Sequence, residues 1–139
     1  MSIFYADASA LVKLVREEPE SAALRAYLEG ADLVSCELVL TEVPRAARRA
    51  ATQDRGISLD GLLKRTAELI DRLALRPLGW ELLASAGALT EPALRTLDAI
   101  HVAAAIDLGP VEAFVTYDER QAAAARLAGL RTIAPARAS

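Results

Sequence analysis

Hydrophobic positions along the chain recur with two different periods, and segments of the two kinds alternate. Five short apolar runs fit strands, namely Ile3–Ala6, Leu33–Ser35, Leu75–Leu78, Ala113–Tyr117 and Arg131–Ile133. Helical spacing is found in Ser9–Arg16, from Pro19 to Gly30, around Glu42, after the capping residue Ser58, and in Glu81–Leu89, Thr96–Leu108 and Glu119–Ala128. Such alternation is typical of crossover units. The pattern therefore predicts an α/β fold, a mainly parallel central sheet flanked by helices on both faces.

Composition supports a single globular domain spanning residues 1–139, with a loose end from Ala136 to Ser139. The chain is 53% hydrophobic and 25% charged, enough for one sizeable core. We expect neither a signal peptide nor a membrane span. Cys36 is the only cysteine, which excludes an internal disulfide and a thiolate zinc cluster and fits a reducing cytoplasm. With a formal net charge of -3, any surface that binds nucleic acid must be local.

Four acidic residues lie in or at the end of apolar segments, where solvated carboxylates are unexpected. They are Asp7, Glu42, Asp98 and Asp118. Asp7 and Asp118 follow two predicted strands, at the edge of a parallel sheet where ligands bind. This placement predicts one shared acidic site.

Each acid also has a structural explanation. Asp118 could cap the next helix in a capping box with Gln121, and Asp7 could cap the first helix unless Ser9 does so instead. Glu42 could simply be a solvated helix residue. Taken together, however, clustered carboxylates repel one another unless a cation neutralises them. All-oxygen ligands suit Mg²⁺ or Mn²⁺, so the sequence predicts a divalent metal site at Asp7, Asp98 and Asp118, with Glu42 acting directly or through water.

Several basic residues lie near these acids in the predicted helices. Arg45 and Arg49 share the helix face of Glu42, and Arg95 precedes Asp98 by one turn. They are candidates for binding a phosphodiester backbone, although a solvated helix face would look the same. His101 could reach the site, but a lone histidine in an apolar helix is more often a packed residue.

The chain resembles the PIN-domain ribonucleases, specifically the VapC-type toxins of toxin-antitoxin pairs. The likeness covers nearly the whole chain and is carried by four segments, namely Asp7–Leu14, Thr41-Glu42, Arg95–Ala105 and Val115–Asp118. One departure is Pro44, which could shift the helix that carries Glu42.

The resemblance implies a metal-dependent endoribonuclease, normally a homodimer, that cleaves structured RNA such as transfer RNA and is inhibited by a VapB-type antitoxin. It also implies that Ser9 and Thr116 orient the carboxylates. Bound Mg²⁺ or Mn²⁺ would activate a water for attack on a phosphodiester.

Two other classes of function remain open. One is a noncatalytic domain whose acidic pocket is only a docking site. The other is phosphoryl transfer on an aspartate, which is disfavoured because Ser9 stands where dehalogenase-type phosphatases have a second acid. Receiver domains, in turn, have a lysine after a late strand, and the only lysines here are Lys13 and Lys64.

Overall fold

The computed structural model describes residues 2–137 and builds them around a five-stranded sheet. In chain order the elements are β1 (Ile3–Ala6), α1 (Ala8–Val15), α2 (Ser21–Leu28), β2 (Asp32–Cys36), α3 (Val39–Gln53), α4 (Leu59–Asp71), β3 (Ala74–Arg76), α5 (Trp80–Gly87), α6 (Thr96–Asp107), β4 (Ala113–Val115), α7 (Glu119–Leu127) and β5 (Thr132–Ile133). Neighbouring strands are all parallel, in the order β3-β2-β1-β4-β5. The predicted α/β class is confirmed.

Helices cover the sheet on both faces, which explains why its strands read as apolar runs. Successive side chains of β1 point to opposite faces. Phe4 and Ala6 join a core formed with α1, α3 and α4, whereas Tyr5 joins a second core formed with α5 and α6. β1 is therefore central, and the site described below is anchored to it.

Helix α6 is the most deeply buried helix near the predicted acids. Every residue from Ile100 to Ala105 is buried, because α6 packs on β2, α5 and α7 at once. This confirms a nearly all-apolar helix without a solvated face in its middle. No helix between residues 2 and 137 combines the length and apolarity that spanning a membrane would require.

Some predicted boundaries were wrong. The third strand was expected at Leu75–Leu78 but is Ala74–Arg76, and the run ending at Tyr117 forms a strand only up to Val115. β3 pairs with β2 up to Arg76, after which Pro77 has no N–H with which to extend the ladder. In the end expected to be loose, Arg137 donates to the Tyr117 carbonyl over 3.2 Å. Ala138 and Ser139 lie outside the described residues.

Candidate active site

The sheet changes winding direction between β1 and β4. β2 and β3 lie on one side of β1, and β4 and β5 lie on the other. Ligands of open parallel sheets bind at the carboxyl ends of the strands beside such a reversal. Asp7 directly follows β1, and Asp118 follows β4 after two residues. The fold thus brings two of the predicted acids to the place where a site is expected.

Asp7 is buried, and donors fix both of its carboxylate oxygens. Ser9 Oγ donates to Oδ1 over 2.6 Å, the Ala10 amide donates to the same atom over 3.2 Å, and Thr116 Oγ1 donates to Oδ2 over 2.6 Å. Burial raises the pKa of Asp7, and the hydrogen bonds from Ser9 and Thr116 partly offset that rise. Asp7 is the N-cap of α1, so the alternative in which Ser9 caps the helix instead was wrong. The serine hydroxyl orients the capping carboxylate.

Asp98 and Asp118 lie close enough to influence each other. Asp98 occupies the first turn of α6 and is half-buried, whereas Asp118 is exposed at the start of α7. Burial raises the pKa of Asp98, and the negative charge of Asp118 raises it further. A cation placed between them would relieve this repulsion.

Asp118 caps α7, but not through the predicted capping box. Its Oδ1 accepts from the amides of Arg120 over 2.9 Å and Gln121 over 3.1 Å. The Asp118 amide, however, donates to Thr116 Oγ1 over 3.1 Å. Gln121 is buried, and its Oε1 has no hydrogen-bond partner within the described residues. The hydrogen bond from the Asp118 amide to the Gln121 side chain, which a capping box requires, is therefore missing. The Thr116 hydroxyl accepts from that amide instead.

Glu42 lies in the first turn of α3 and contacts His101 of α6. His101 Nε2 and Glu42 Oε1 are 2.7 Å apart. Burial lowers the pKa of His101, but hydrogen bonds with Cys36 and Glu42 outweigh burial and raise it to about 10. Pro44 lies inside α3, and the helix continues past it to Gln53. The sequence suggested that His101 could approach the site but gave no sign that Glu42 is its partner.

The predicted basic residues are exposed on the elements that carry two of the acids. Arg45 and Arg49 project from α3, Arg95 precedes α6, and none of the three forms an ion pair within residues 2–137. Sequence reasoning missed Arg120, whose charge lowers the pKa of Asp98. Its position two residues after a helix-capping aspartate was the available signal. These cations are free to contact phosphates.

The possible metal ligands at this edge are carboxylate oxygens, which suit a hard divalent cation. The repulsion between Asp98 and Asp118 also favours a cation there. Between residues 2 and 137, however, no three or more His, Cys, Asp or Glu side chains form a group that could hold a metal ion as they stand. Binding would have to draw the acids closer together.

A cleft of about 540 Å³ opens beside Asp118. Its walls include Thr116, Arg126, Ile133 and Arg137. The cleft is thus lined by apolar side chains, by two arginines and by the acids Asp118 and Glu119.

A profile of the PIN domain matches residues 4–127. The chain is 41% identical to ribonuclease VapC46 of Mycobacterium tuberculosis over 140 residues, covering 97% of this chain and 99% of that protein. The chain therefore belongs to the PIN-domain family, within its VapC group.

Solved structures agree in fold. VapBC2 of Rickettsia felis, bound to a DNA fragment from its promoter, matches with a TM-score of 0.69 at 13% identity over 96% of this chain and 98% of that one. VapC20 of Mycobacterium tuberculosis, a sarcin-ricin loop cleaving toxin, also matches with a TM-score of 0.69, at 15% identity over 95% of this chain and 99% of that one. At these identities the likeness concerns the fold.

Proposed function

We propose that this chain is a metal-dependent endoribonuclease toxin. One observation carries the proposal most directly: Asp7 is a buried carboxylate that three donors hold at the switch point of the sheet. A carboxylate fixed in this way is suited to bind a cation in a defined direction. Membership in the VapC group, together with 41% identity to a ribonuclease, adds the reaction class.

The four acids would have different roles in the site. Asp7, Asp98 and Asp118 would hold Mg²⁺ or Mn²⁺, and Glu42 would be the fourth catalytic acid. When bound, the cation would supply an acidified water and offset charge on the phosphodiester. Ser9 and Thr116 keep the Asp7 carboxylate oriented, and a bound cation would offset the repulsion between Asp98 and Asp118.

The substrate would be a structured RNA, with transfer RNA as the first candidate. Arg45 and Arg49 lie on the helix that carries Glu42, and Arg95 precedes the helix that carries Asp98. All three are exposed, and exposed cations bind phosphates without reading sequence. Because the whole chain carries a formal net charge of -3, these local cations must supply the attraction for RNA.

A cognate VapB-type antitoxin would inhibit the enzyme, and the active form would be a cytoplasmic homodimer of one domain spanning residues 1–139. Large apolar side chains are available for such contacts. Trp80 is 78% exposed, Leu127 is 71% exposed, and Leu97 is 48% exposed. These side chains are the first candidates for contacts with the antitoxin or a second copy of the chain.

The test is cleavage by the purified chain without antitoxin. The protein would be incubated with total cellular RNA in Mg²⁺, Mn²⁺ or EDTA, and new 5′ ends would be sequenced. Discrete cuts that require a cation support the proposal and reveal the substrate. A protein that binds Mn²⁺ but cuts no RNA would instead fit the noncatalytic docking function.

A further inference from the structure

We propose that His101 is a positioning residue of the site, holding the Glu42 carboxylate in a fixed orientation from inside the core. This inference rests on the proposed function, because it assigns a task to a residue next to a catalytic acid. Its basis is a continuous chain of hydrogen bonds that runs from β1 through α6 to α3. The sequence alone favoured a packed histidine.

The direction of the contact with Glu42 follows from chemistry. An ionised carboxylate can only accept hydrogen bonds. With Glu42 as the carboxylate, His101 Nε2, 2.7 Å from Glu42 Oε1, is the donor of this hydrogen bond. One carboxylate oxygen of Glu42 is thereby held by a residue of the core.

The second ring nitrogen fixes the imidazole itself. His101 Nδ1 lies 2.8 Å from the Tyr5 hydroxyl and 3.7 Å from Cys36 Sγ. A hydroxyl both donates and accepts, so Tyr5 satisfies Nδ1 whether or not that nitrogen is protonated. With both nitrogens engaged, the ring cannot flip or tilt without breaking a hydrogen bond.

Burial argues against an incidental contact. His101 is 2% exposed, Tyr5 is fully buried, and the flanking residues of α6 from Ile100 to Ala105 are all buried. A polar side chain in such a place costs free energy unless it is hydrogen-bonded, and an apolar residue would have filled the same space. The partners of His101 come from three other elements, so the contact is not a local helix bond.

The chain of bonds also ties two acids to one strand. The series of hydrogen bonds ends at Tyr5 on β1, and Asp7 immediately follows that strand. Glu42 comes 35 residues after Asp7 in the chain. Through His101 and Tyr5, its position is therefore fixed relative to the strand that also positions Asp7. Relays of this kind set the angle at which a carboxylate meets its ligand.

The contact itself can be tested without RNA or metal, because His101 is the only histidine. In protein labelled with ¹⁵N-histidine, a single imidazole would be observed by NMR. We expect an Nε2–H signal with slowed solvent exchange, which disappears in Glu42→Leu and persists in Asp118→Asn. An Nε2–H signal that does not respond to Glu42→Leu would overturn the inference.

A double-mutant cycle on RNA cleavage tests the positioning role. His101→Leu should lower kcat by about 10- to 100-fold with little change in KM, the usual range for residues that orient a site group. His101→Gln should recover much of the activity, because the glutamine amide can donate from nearly the position of Nε2, and it also guards against a leucine variant that fails to fold.

Adding His101→Leu to Glu42→Leu should cause no further decrease in kcat, since the two residues would act as a unit. Decreases that multiply would show a merely structural histidine and overturn the inference. Should the wild type cleave no RNA, the proposed function would fail, whereas the NMR measurement would still support or overturn the link between His101 and Glu42.

Discussion

Thr116 donates a 2.6 Å hydrogen bond to Asp7 across the boundary between β4 and β1. Its hydroxyl oxygen also accepts from the Asp118 amide over 3.1 Å. Ser9 Oγ repeats the pattern, donating to Asp7 and accepting from the Tyr117 amide over 2.9 Å. Two hydroxyls thus couple the buried acid after β1 to the segment that presents Asp118.

Replacing Thr116 by valine tests this coupling. The change keeps the shape and removes the donor, so Asp7 is left with an unsatisfied oxygen. We expect the free energy of unfolding to fall by about 1–3 kcal/mol, the cost of leaving a buried acceptor without its partner. RNA cleavage should fall by about 10- to 100-fold.

Thr66→Val provides the matched control. Thr66 is equally buried, but its hydroxyl donates to the Leu62 carbonyl within α4. Urea unfolding and initial cleavage rates would be measured for both variants. An equal decrease of cleavage in both would contradict a special role for the bond between Thr116 and Asp7.

Asp98→Asn should separate stability from metal binding. The metal-free variant should be as stable as wild type or more stable by up to about 1 kcal/mol, because it removes repulsion from a half-exposed, screened pair. Mn²⁺ at about 100 times its dissociation constant should stabilise wild type by about 2.7 kcal/mol. The same concentration should stabilise the variant far less.

Thermal or urea unfolding with and without Mn²⁺ checks this prediction, and Ca²⁺ serves as a second oxygen-preferring cation. A variant that gains as much from Mn²⁺ as wild type does would remove Asp98 from the metal site.

Part of this arrangement was readable from the sequence because it depends on local pattern. The run Ile3–Ala6 gave β1 with the correct limits, and the apolar residues after Asp98 gave α6. Asp118 was a candidate helix cap, because capping depends on the next few residues, and the structure shows it as the N-cap of α7. Such features need no knowledge of distant partners.

Contacts between distant segments were not readable in the same way. Glu42 and His101 are 59 positions apart, and nothing in either helix specifies that they meet. Gln121 matched the capping-box pattern, yet packing buried its side chain away from the Asp118 amide. Competition among several possible donors can be settled only by the three-dimensional arrangement.

Removing the exposed arginines of α3 should weaken RNA binding and leave the chemistry intact. In Arg45→Ala combined with Arg49→Ala, we expect a higher KM with nearly unchanged kcat. The slope of log K for binding against log salt concentration should become shallower by about 0.7–0.9 for each phosphate that the variant no longer binds.

Arg131→Ala is the control for charge, since Arg131 is exposed before β5 and pairs only loosely with Glu112 at 3.9 Å. Filter binding of catalytically inactive protein at several salt concentrations would measure the slope. An unchanged slope in the double variant would place the RNA on another surface.

The hydrogen bonds of Glu20 should make the stability of the folded state depend on pH. Glu20 accepts hydrogen bonds from Lys13 over 3.0 Å and from Arg137 over 3.2 Å. These bonds lower the pKa of Glu20 below its ordinary value of 4.5, and the bond from Lys13 has the largest effect. A lowered pKa stabilises the folded state above pH 4.5, and that stabilisation is lost as the pH falls through the lower folded value.

Glu20→Gln should therefore be less stable than wild type at pH 7, and the difference should shrink as the pH falls below 4.5. The exposed Glu68→Gln controls for the change in charge. Urea unfolding from pH 3 to pH 7 would measure both variants. A difference that stays constant over this range would show that the ionised form of Glu20 contributes nothing.

Cleavage of RNA by wild type and Asp98→Asn tests directly whether the acids at the switch point form a metal-dependent nuclease site. Both proteins, with the exposed Asp71→Asn as control, would be incubated with transfer RNA in Mn²⁺ or EDTA, and new 5′ ends would be sequenced. We expect discrete cuts in Mn²⁺ by wild type and Asp71→Asn, and none with EDTA or Asp98→Asn. Full cleavage by Asp98→Asn, with wild-type contamination excluded, would contradict this expectation.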